Sequence, residues 1–312
     1  MNLTTTMPSQ KKLNSWITIG SFDGVHIGHQ ALIKELVAQA QKSNSQSVVV
    51  TFWPLPATVF KRAPLAWALT SPEERKALLL SLGVDQVVTL DFNQSLADLT
   101  AERFLQRLDD NFNIAGLLVG PNFALGKNRL GTVEKLAEIG REMFFELKVL
   151  EPFATNQGMV SSSRIRADLG NHDVRAAAEK LGRPYRLTGK VVHGEHRGTG
   201  LGVPTANLEA MPERMIPANG VYVTRALVNN KAYASVTNIG VRPTFENPLP
   251  APRVEPHILD MQDQLYQQEL SLEFIEYLRP EIKFANAQEL VAQIQKDIAR
   301  TREICPIDCV NG

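Results

Sequence analysis

Gly20, Gly24 and Gly28 recur four apart, and His26 and His29 three apart, within "WITIGSFDGVHIGHQALIKEL" at 16–36. The chain has six histidines in all, so two in so short a stretch is a concentration. Where a strand turns into a helix, glycine lets the backbone approach an anion closely. The first helical N–H groups and the positive end of the helix dipole then attract it. Imidazoles at i and i+3 project from one side of that opening turn. They would be placed to stabilise negative charge developing on a phosphoryl group. The same pair would equally serve as helix caps or satisfied surface groups, and the residue types alone leave both open. Two better-known loops do not fit. The glycine spacing is not the G-x-G-x-x-G of dinucleotide sites, and "GPNFALGKN" at 120–128 has five residues between its glycines and Asn128 where a P-loop needs Ser or Thr.

A phosphate site of this kind needs a sheet behind it, and the surrounding pattern predicts one. "WITIG" is a short strand, and Leu32, Ile33, Leu36, Val37 and Ala40 form one stripe of the helix that follows it. "SVVVTF" at 47–52 is a continuous apolar run of the sort buried on both faces of a parallel sheet. Helices at "SPEERKALLLSLG" (Ser71 as cap, Pro72 in the first turn), at "TAERFLQRLDDNF" and after Gly131 alternate with strands at "QVVTL" and "AGLLVG". This alternation implies a parallel α/β sheet with right-handed crossovers.

Near residue 184 the rhythm changes. "YRLTGKVVHG", "GVYVTRALVN", "KAYASVTNIG", "RVEPHILD" and "QELSLEFIEYL" alternate with period two; Leu270, Leu272 and Phe274 share one face against Ser271 and Glu273. Asn229 and Asn230 supply a hairpin turn. Leu290, Val291, Ile294 and Ile298 mark a closing amphipathic helix, so this half is expected to be a small antiparallel barrel with a terminal helix. The joint is "DVRAAAEKLGRPY", a short helix stopped by Gly182 and Pro184. Two domains, 1–184 and 185–312, suit a chain of 312 residues.

Hydrophobic content of 44% with 21% charged residues is that of an ordinary globular protein. Lys plus Arg balances Asp plus Glu at 33 each, which argues against a nucleic-acid or anionic-membrane partner. No apolar run approaches a membrane span and the first residues lack a signal-like core, so a cytoplasmic location is expected. Cys305 and Cys309 read as two reduced surface thiols.

In the second half, Thr205 and Asn207 of "GVPTANL" are two apart, so an extended segment points both the same way. A hydroxyl and an amide oxygen on one face suit a hard cation such as Mg²⁺. The preceding "GEHRGTGLG" supplies Gly194, Gly198, Gly200 and Gly202, either an ordinary hairpin or a loop able to close over nucleotide phosphates. "PTAN" beside it favours the second. His193, His196 and His257 have no evident role, and histidine spacing there is poor for a metal.

"GSFDGVHIGHQ" resembles the G-x-F-D-G-x-H-x-G-H signature of the nucleotidyltransferases, in their flavin-nucleotide branch. "SSSRIR" at 161–166 is similar to the element that holds ATP phosphates there, and "LTSPEERKALLLSLGVDQVV" and "LLVGPNFALGKNRLG" match the same branch. "LGRPYRLTGKVVHGEHRGTGLGVPTANL", then "GVYV", "NIGVRPTF" and "VEPHILD", follow the order of a riboflavin kinase module. Nearly the whole chain thus resembles the prokaryotic bifunctional riboflavin kinase/FMN adenylyltransferase family.

The resemblance implies a Rossmann-like nucleotidyltransferase domain followed by a barrel kinase. Riboflavin would be phosphorylated to FMN, and FMN adenylylated to FAD with release of pyrophosphate, both with Mg²⁺ and ATP. It implies ATP-binding positions at Gly20, Phe22, Asp23, Gly24, Gly28, Ser162, Ser163 and Arg166. His26 and His29 would act on the α-phosphate, and Asn122 would lie near nucleotide or flavin. Glu255 would accept the proton of the ribityl 5′-hydroxyl. Partners would be these small molecules alone, with no nucleic acid or membrane, and the chain a monomer or weak homo-oligomer.

Four positions depart from the family pattern. Leu55 stands in "TFWPLP" where the branch has histidine; Ala124 and Leu125 replace basic and aromatic residues; Val203 replaces phenylalanine before "PTAN". Leucine neither donates a hydrogen bond nor carries charge. A riboflavin kinase with an impaired adenylyltransferase domain is therefore the alternative reading. Pro256 removes a ladder donor from its strand, so an edge or bulged position is expected there.

Overall fold

The structure is a computed structural model that describes residues 13–151, 154–155, 158–193, 204–229, 231–241, 252–261 and 265–306. The chain divides into two compact units, Met1–Pro64 with Thr70–Val160, and Leu65–Leu69 with Ser161–Gly312. The sequence rhythm changes at 184, whereas this division falls at Val160/Ser161, with a five-residue excursion counted in the second unit.

The first unit runs β1 (Ser15–Ile19), α1 (Ile27–Lys42), β2 (Gln46–Trp53), α2 (Pro56–Val59), α3 (Pro72–Leu80), β3 (Gln86–Asp91), α4 (Gln94–Ala97), α5 (Ala101–Phe112), β4 (Ile114–Val119), β5 (Ala124–Leu125), β6 (Gly131–Thr132), α6 (Val133–Met143), β7 (Glu146–Val149), β8 (Ala154–Thr155) and β9 (Gly158–Met159). Among the described residues, five parallel strands form one sheet in the order β3-β2-β1-β4-β7. Successive residues of a strand face opposite sides, and each side has its own core. Ile17, Ile19, Val48 and Val50 pack with Leu105 of α5 and Leu136 of α6. Trp16, Val49 and Leu118 pack with Ile33 and Leu36 of α1 and Leu79 of α3. Both faces being covered explains why "SVVVTF" of β2 reads as a continuous run without polar alternation. Ser71, Thr100 and Thr132 start α3, α5 and α6 by accepting from the N–H three residues on.

On the second face Trp16 of β1 lies opposite Gly116 of β4, and a Cβ at 116 would sit 2.6 Å from the indole. Gly116→Ala is therefore expected to destabilise this unit by about 1–3 kcal/mol, the cost of overpacking a filled core. Urea unfolding followed by tryptophan fluorescence measures it.

The second unit contains α7 (Ser162–Gly170), α8 (Val174–Leu181), β10 (Tyr185–Val192), β11 (Asn207–Ala210), β12 (Gly220–Val228), β13 (Lys231–Gly240), β14 (Arg253–Ile258), β15 (Glu269–Arg279) and α9 (Ala287–Ile304). The strands close an antiparallel barrel in the order β10-β11-β14-β13-β12-β15. The expected α/β sheet, antiparallel barrel and terminal helix are all present. Gly182 ends α8 at φ +70°, and Asn229 turns the β12–β13 hairpin at φ +48°; Asn230 lies outside the described residues.

Three details differ from expectation. Glu273 is on the outward-alternating side of β15 yet buried, because Arg186 and Arg225 from the two flanking strands reach its carboxylate at 2.5 Å each. The apolar residues of α9 are half-buried, and the side chains it buries are Asp297, paired with Arg279 at 2.7 Å, and Thr301. Cys305 is not a surface thiol: it is buried with Val223, Ala234 and Leu259, while Cys309 lies outside the described residues.

Candidate active sites

In the first sheet the chain adds strands on one side of β1 and then, from β4, on the other. The carboxyl ends of β1 and β4 therefore flank the topological switch point, where open α/β sheets bind ligands. A cleft of about 750 Å³ opens there, walled by Ile19, Gly20 and Ser21 after β1 and by Asn122 and Phe123 after β4. Phe52, Phe60 and Phe92 bring aromatic surface to it, with edge-on ring contacts at 5.4 and 5.6 Å centred on Phe92. Arg62, Lys127 and Arg129 bring positive charge; Arg62 lies 5.2 Å over the Phe60 ring, and Arg129 donates to the Asn122 carbonyl at 3.2 Å. The "GPNFALGKN" stretch is thus a wall of this cleft without being a P-loop.

Sequence reasoning missed the aromatic and basic residues of the cleft. The signal available was Phe52 and Phe92, each at or just past a strand's carboxyl end.

One residue beyond the Ser21 wall begins the glycine–histidine turn. Phe22, Gly24 and Val25 all take positive φ, at +44°, +83° and +42°, conformations a non-glycine residue keeps only when its surroundings fix it. Gly28 is the second residue of α1, and Gly20 donates to Val50 O at 3.0 Å. His26 caps α1: its Nδ1 accepts from the His29 N–H at 3.2 Å. A ring whose Nδ1 accepts carries its proton on Nε2 when neutral, leaving Nε2 a donor.

The His26 and His29 rings stack at 3.6 Å, 16° from parallel, with Phe22 edge-on to His29 at 5.2 Å. His29 as a residue is half-buried, but its Nδ1 is shut off from solvent and has no hydrogen-bond partner among the described residues. Burial first, then the charge of His26, then that of Arg75, hold its pKa well below the ordinary imidazole value of 6.5. His29 is accordingly a neutral imidazole near pH 7. Asp23 is buried beneath the turn, accepting from Thr70 N at 3.1 Å and pairing with Arg75 at 3.4 Å.

In the second unit, Ser162 and Ser163 open α7, and the cap is Ser161, which accepts from Arg164 N at 3.3 Å. Arg166 is buried, donates from Nε to Trp67 O at 2.8 Å and stacks 4.4 Å over the Trp67 ring.

On the barrel, Leu208 of β11 pairs with Val254 of β14 in antiparallel register. One step along that register sets Asn207 beside Glu255, and three steps set Thr205 beside His257. Two hydrogen bonds hold this alignment, from Ala206 N to Pro256 O at 2.9 Å and between His257 Nδ1 and Pro204 O at 2.7 Å. An edge or bulged position is expected for Pro256, but β14 is an inner strand of a closed barrel and Pro256 pairs with Thr237 of β13 in unbroken register. Its carbonyl faces the 204–207 segment, so its nitrogen does too, where ladder pairing is sparse. Gly194, Gly198, Gly200 and Gly202, with His196 and Val203, lie outside the described residues. His193 stacks on Tyr266 at 4.1 Å.

Leu55 is buried at the N-cap position of α2 and makes no capping hydrogen bond. Ala124 and Leu125 form β5 and line the cleft.

A doubly covered parallel sheet with an anion-ready helix start at its switch point, and in the same chain a barrel that sets a glutamate next to an amide, define a two-domain nucleotide-using transferase. The family model described as FAD synthetase matches residues 9–164, and that described as riboflavin kinase matches residues 181–305. A curated relative from Pseudomonas fluorescens, named bifunctional riboflavin kinase/FMN adenylyltransferase, is 36% identical, covering 92% of each chain. One of the same name from Escherichia coli K12 is 34% identical over 92% of this chain and 91% of its own. The chain belongs to the bifunctional riboflavin kinase/FMN adenylyltransferase family, and it carries both the kinase and the FAD synthetase activity. A reading with kinase alone finds no support. A crystal structure described as a macrolide-efflux protein from Streptococcus pneumoniae shares the fold, with TM-score 0.86 and 29% identity over 94% of this chain and 95% of that one. Among the described residues of the present chain no helix is long and apolar enough to cross a membrane.

Proposed function

We propose that adenylyl transfer is centred on the turn before α1. An FMN phosphate oxygen attacks the α-phosphorus of ATP, the bond to the β-phosphate oxygen breaks, and pyrophosphate leaves. His26 and His29 donate to the charge that builds on the α-phosphate, and Gly20, Phe22, Asp23, Gly24 and Gly28 shape the backbone around it. The observation that carries this is the stacked imidazole pair on a helix start, one ring fixed as an Nε2 donor by its capping bond and the other neutral. Aromatic surface and three cations in the adjoining cleft suit a flavin ring and its phosphate. Asn122 contributes to that wall. Ser162, Ser163 and Arg166 are read as holders of the departing phosphates.

In the kinase half, Glu255 takes the proton of the ribityl hydroxyl as its oxygen attacks the γ-phosphorus of ATP; the bond from that phosphorus to the β-phosphate oxygen breaks, and ADP leaves. Thr205 and Asn207 offer the oxygen donors that Mg²⁺ prefers, three and one register steps respectively from the Leu208–Val254 pair. Bound there, the ion would neutralise phosphate charge. Gly194, Gly198, Gly200 and Gly202 are read as the loop that closes over those phosphates. The balanced charge supports small-molecule partners rather than nucleic acid or an anionic membrane. The enzyme is read as cytoplasmic and as a monomer or weak homo-oligomer.

Purified protein given riboflavin, ATP and Mg²⁺, with products separated by chromatography, is expected to accumulate FMN and then FAD. FMN that is never converted, even when supplied directly, would remove the proposed adenylylation centre.

A further inference from the structure

Arg75 is among the largest fully buried side chains, at 0% exposure. A guanidinium without solvent is costly and persists only where its donors are met. Its Nε donates to Thr70 Oγ1 at 3.3 Å, and Nη1 to Thr51 Oγ1 at 3.3 Å and Phe52 O at 3.1 Å. Nη2 donates to Asp23 Oδ1 at 3.4 Å and Thr70 O at 3.3 Å. These acceptors lie on three separate segments: the turn after β1, the end of β2, and the start of α3.

The acceptors in turn grip the histidine turn. Thr70 Oγ1 accepts from Gly24 N at 3.2 Å, Asp23 Oδ1 accepts from Thr70 N at 3.1 Å, and Thr51 Oγ1 donates to Ser21 O at 3.0 Å. The turn so held contains Phe22 and Val25 at positive φ, a backbone that relaxes if its supports go. No substrate need touch Arg75 for it to matter, because the imidazoles stand on this turn.

We propose that Arg75 is a positioning residue for adenylyl transfer, its buried guanidinium locking the Ser21–Val25 turn that aims His26 and His29. The inference rests on the reading of those histidines as the groups facing the α-phosphate. A second consequence is electrostatic. The charges bearing on His29 are His26 at the helix cap and Arg75 from α3, with Asp23 bound to Arg75. Arg75 disfavours the imidazolium, so its loss lets His29 protonate at higher pH.

The test uses the full-length chain carrying Arg75→Gln, Arg75→Lys, Thr70→Val or His29→Asn. FAD formation from FMN and ATP is followed from about pH 5.5 to 9, alongside flavin binding and riboflavin phosphorylation. R75Q is expected to lower kcat for FAD roughly 10- to 100-fold, with KM for FMN and ATP within about twofold, because the groups are misaimed while binding is kept. Its acid limb moves up toward the ordinary imidazole value, R75K recovers part of the loss, and phosphorylation is unchanged. Wild-type kcat in R75Q, or a loss with an unmoved acid limb, overturns the proposal. If R75Q no longer binds flavin, R75K and T70V decide: wild-type kcat and pH profile in both overturns it. Wild-type kcat in H29N would instead overturn the reading of the histidines themselves.

Discussion

Replacing His26 by asparagine is expected to lower kcat for FAD formation by roughly 10²–10³-fold, the loss typical of one preorganised donor at a developing charge. The choice of asparagine separates the two roles this residue fills. His26 caps α1 through Nδ1, and asparagine is among the best caps, so the helix start survives the exchange. What disappears is the Nε2 donor and the ring stacked on His29. Were capping its whole contribution, H26N would turn over like the wild type, whereas His26→Ala would lose only the 0.5–2 kcal/mol or so that caps are worth. Steady-state FAD formation from supplied FMN, with riboflavin phosphorylation by the same sample as reference, measures both variants.

The histidine turn was legible because its chemistry is local: spacing, glycines and a helix start all sit within one short stretch. The sheet behind it was legible for a related reason, since strands covered on both faces leave unbroken apolar runs such as "SVVVTF". Arg75 was not. It stands in "PEERKALLL" between Glu74, half-buried, and Lys76, exposed, and nothing in that run of charges separates the one charged side chain that turns inward. Its burial follows from Asp23 and Thr51, which are far off in sequence, as well as from the nearby Thr70. Glu273 and Asp297 were hidden in the same way, each buried because arginines on other elements meet it. The basic and aromatic cleft residues come from five separate segments, so no local pattern announced them. The barrel strands were read from period two, yet the pairing of β11 with β14 that sets Asn207 beside Glu255 depends on closure, which periodicity does not encode.

That pairing underlies the other large effect. Glu255→Gln is expected to reduce riboflavin phosphorylation by roughly 10²–10⁴-fold, the usual contribution of a positioned general base. Glutamine has the shape of the carboxylate and accepts a hydrogen bond from the alcohol, but it cannot take the proton. Glu255 pairs with Asn238 across the β13–β14 ladder through its backbone, so the exchange leaves the strand register intact. Substrate binding should therefore be kept, and the loss should fall on kcat. Because FMN is the product of one reaction and the substrate of the other, the starting flavin reports where the block lies. E255Q given riboflavin should yield neither FMN nor FAD, while E255Q given FMN should make FAD at the wild-type rate. Loss of FAD from supplied FMN would mean that the change had disturbed more than the kinase base. Unimpaired phosphorylation would transfer the base's role to another group on the barrel.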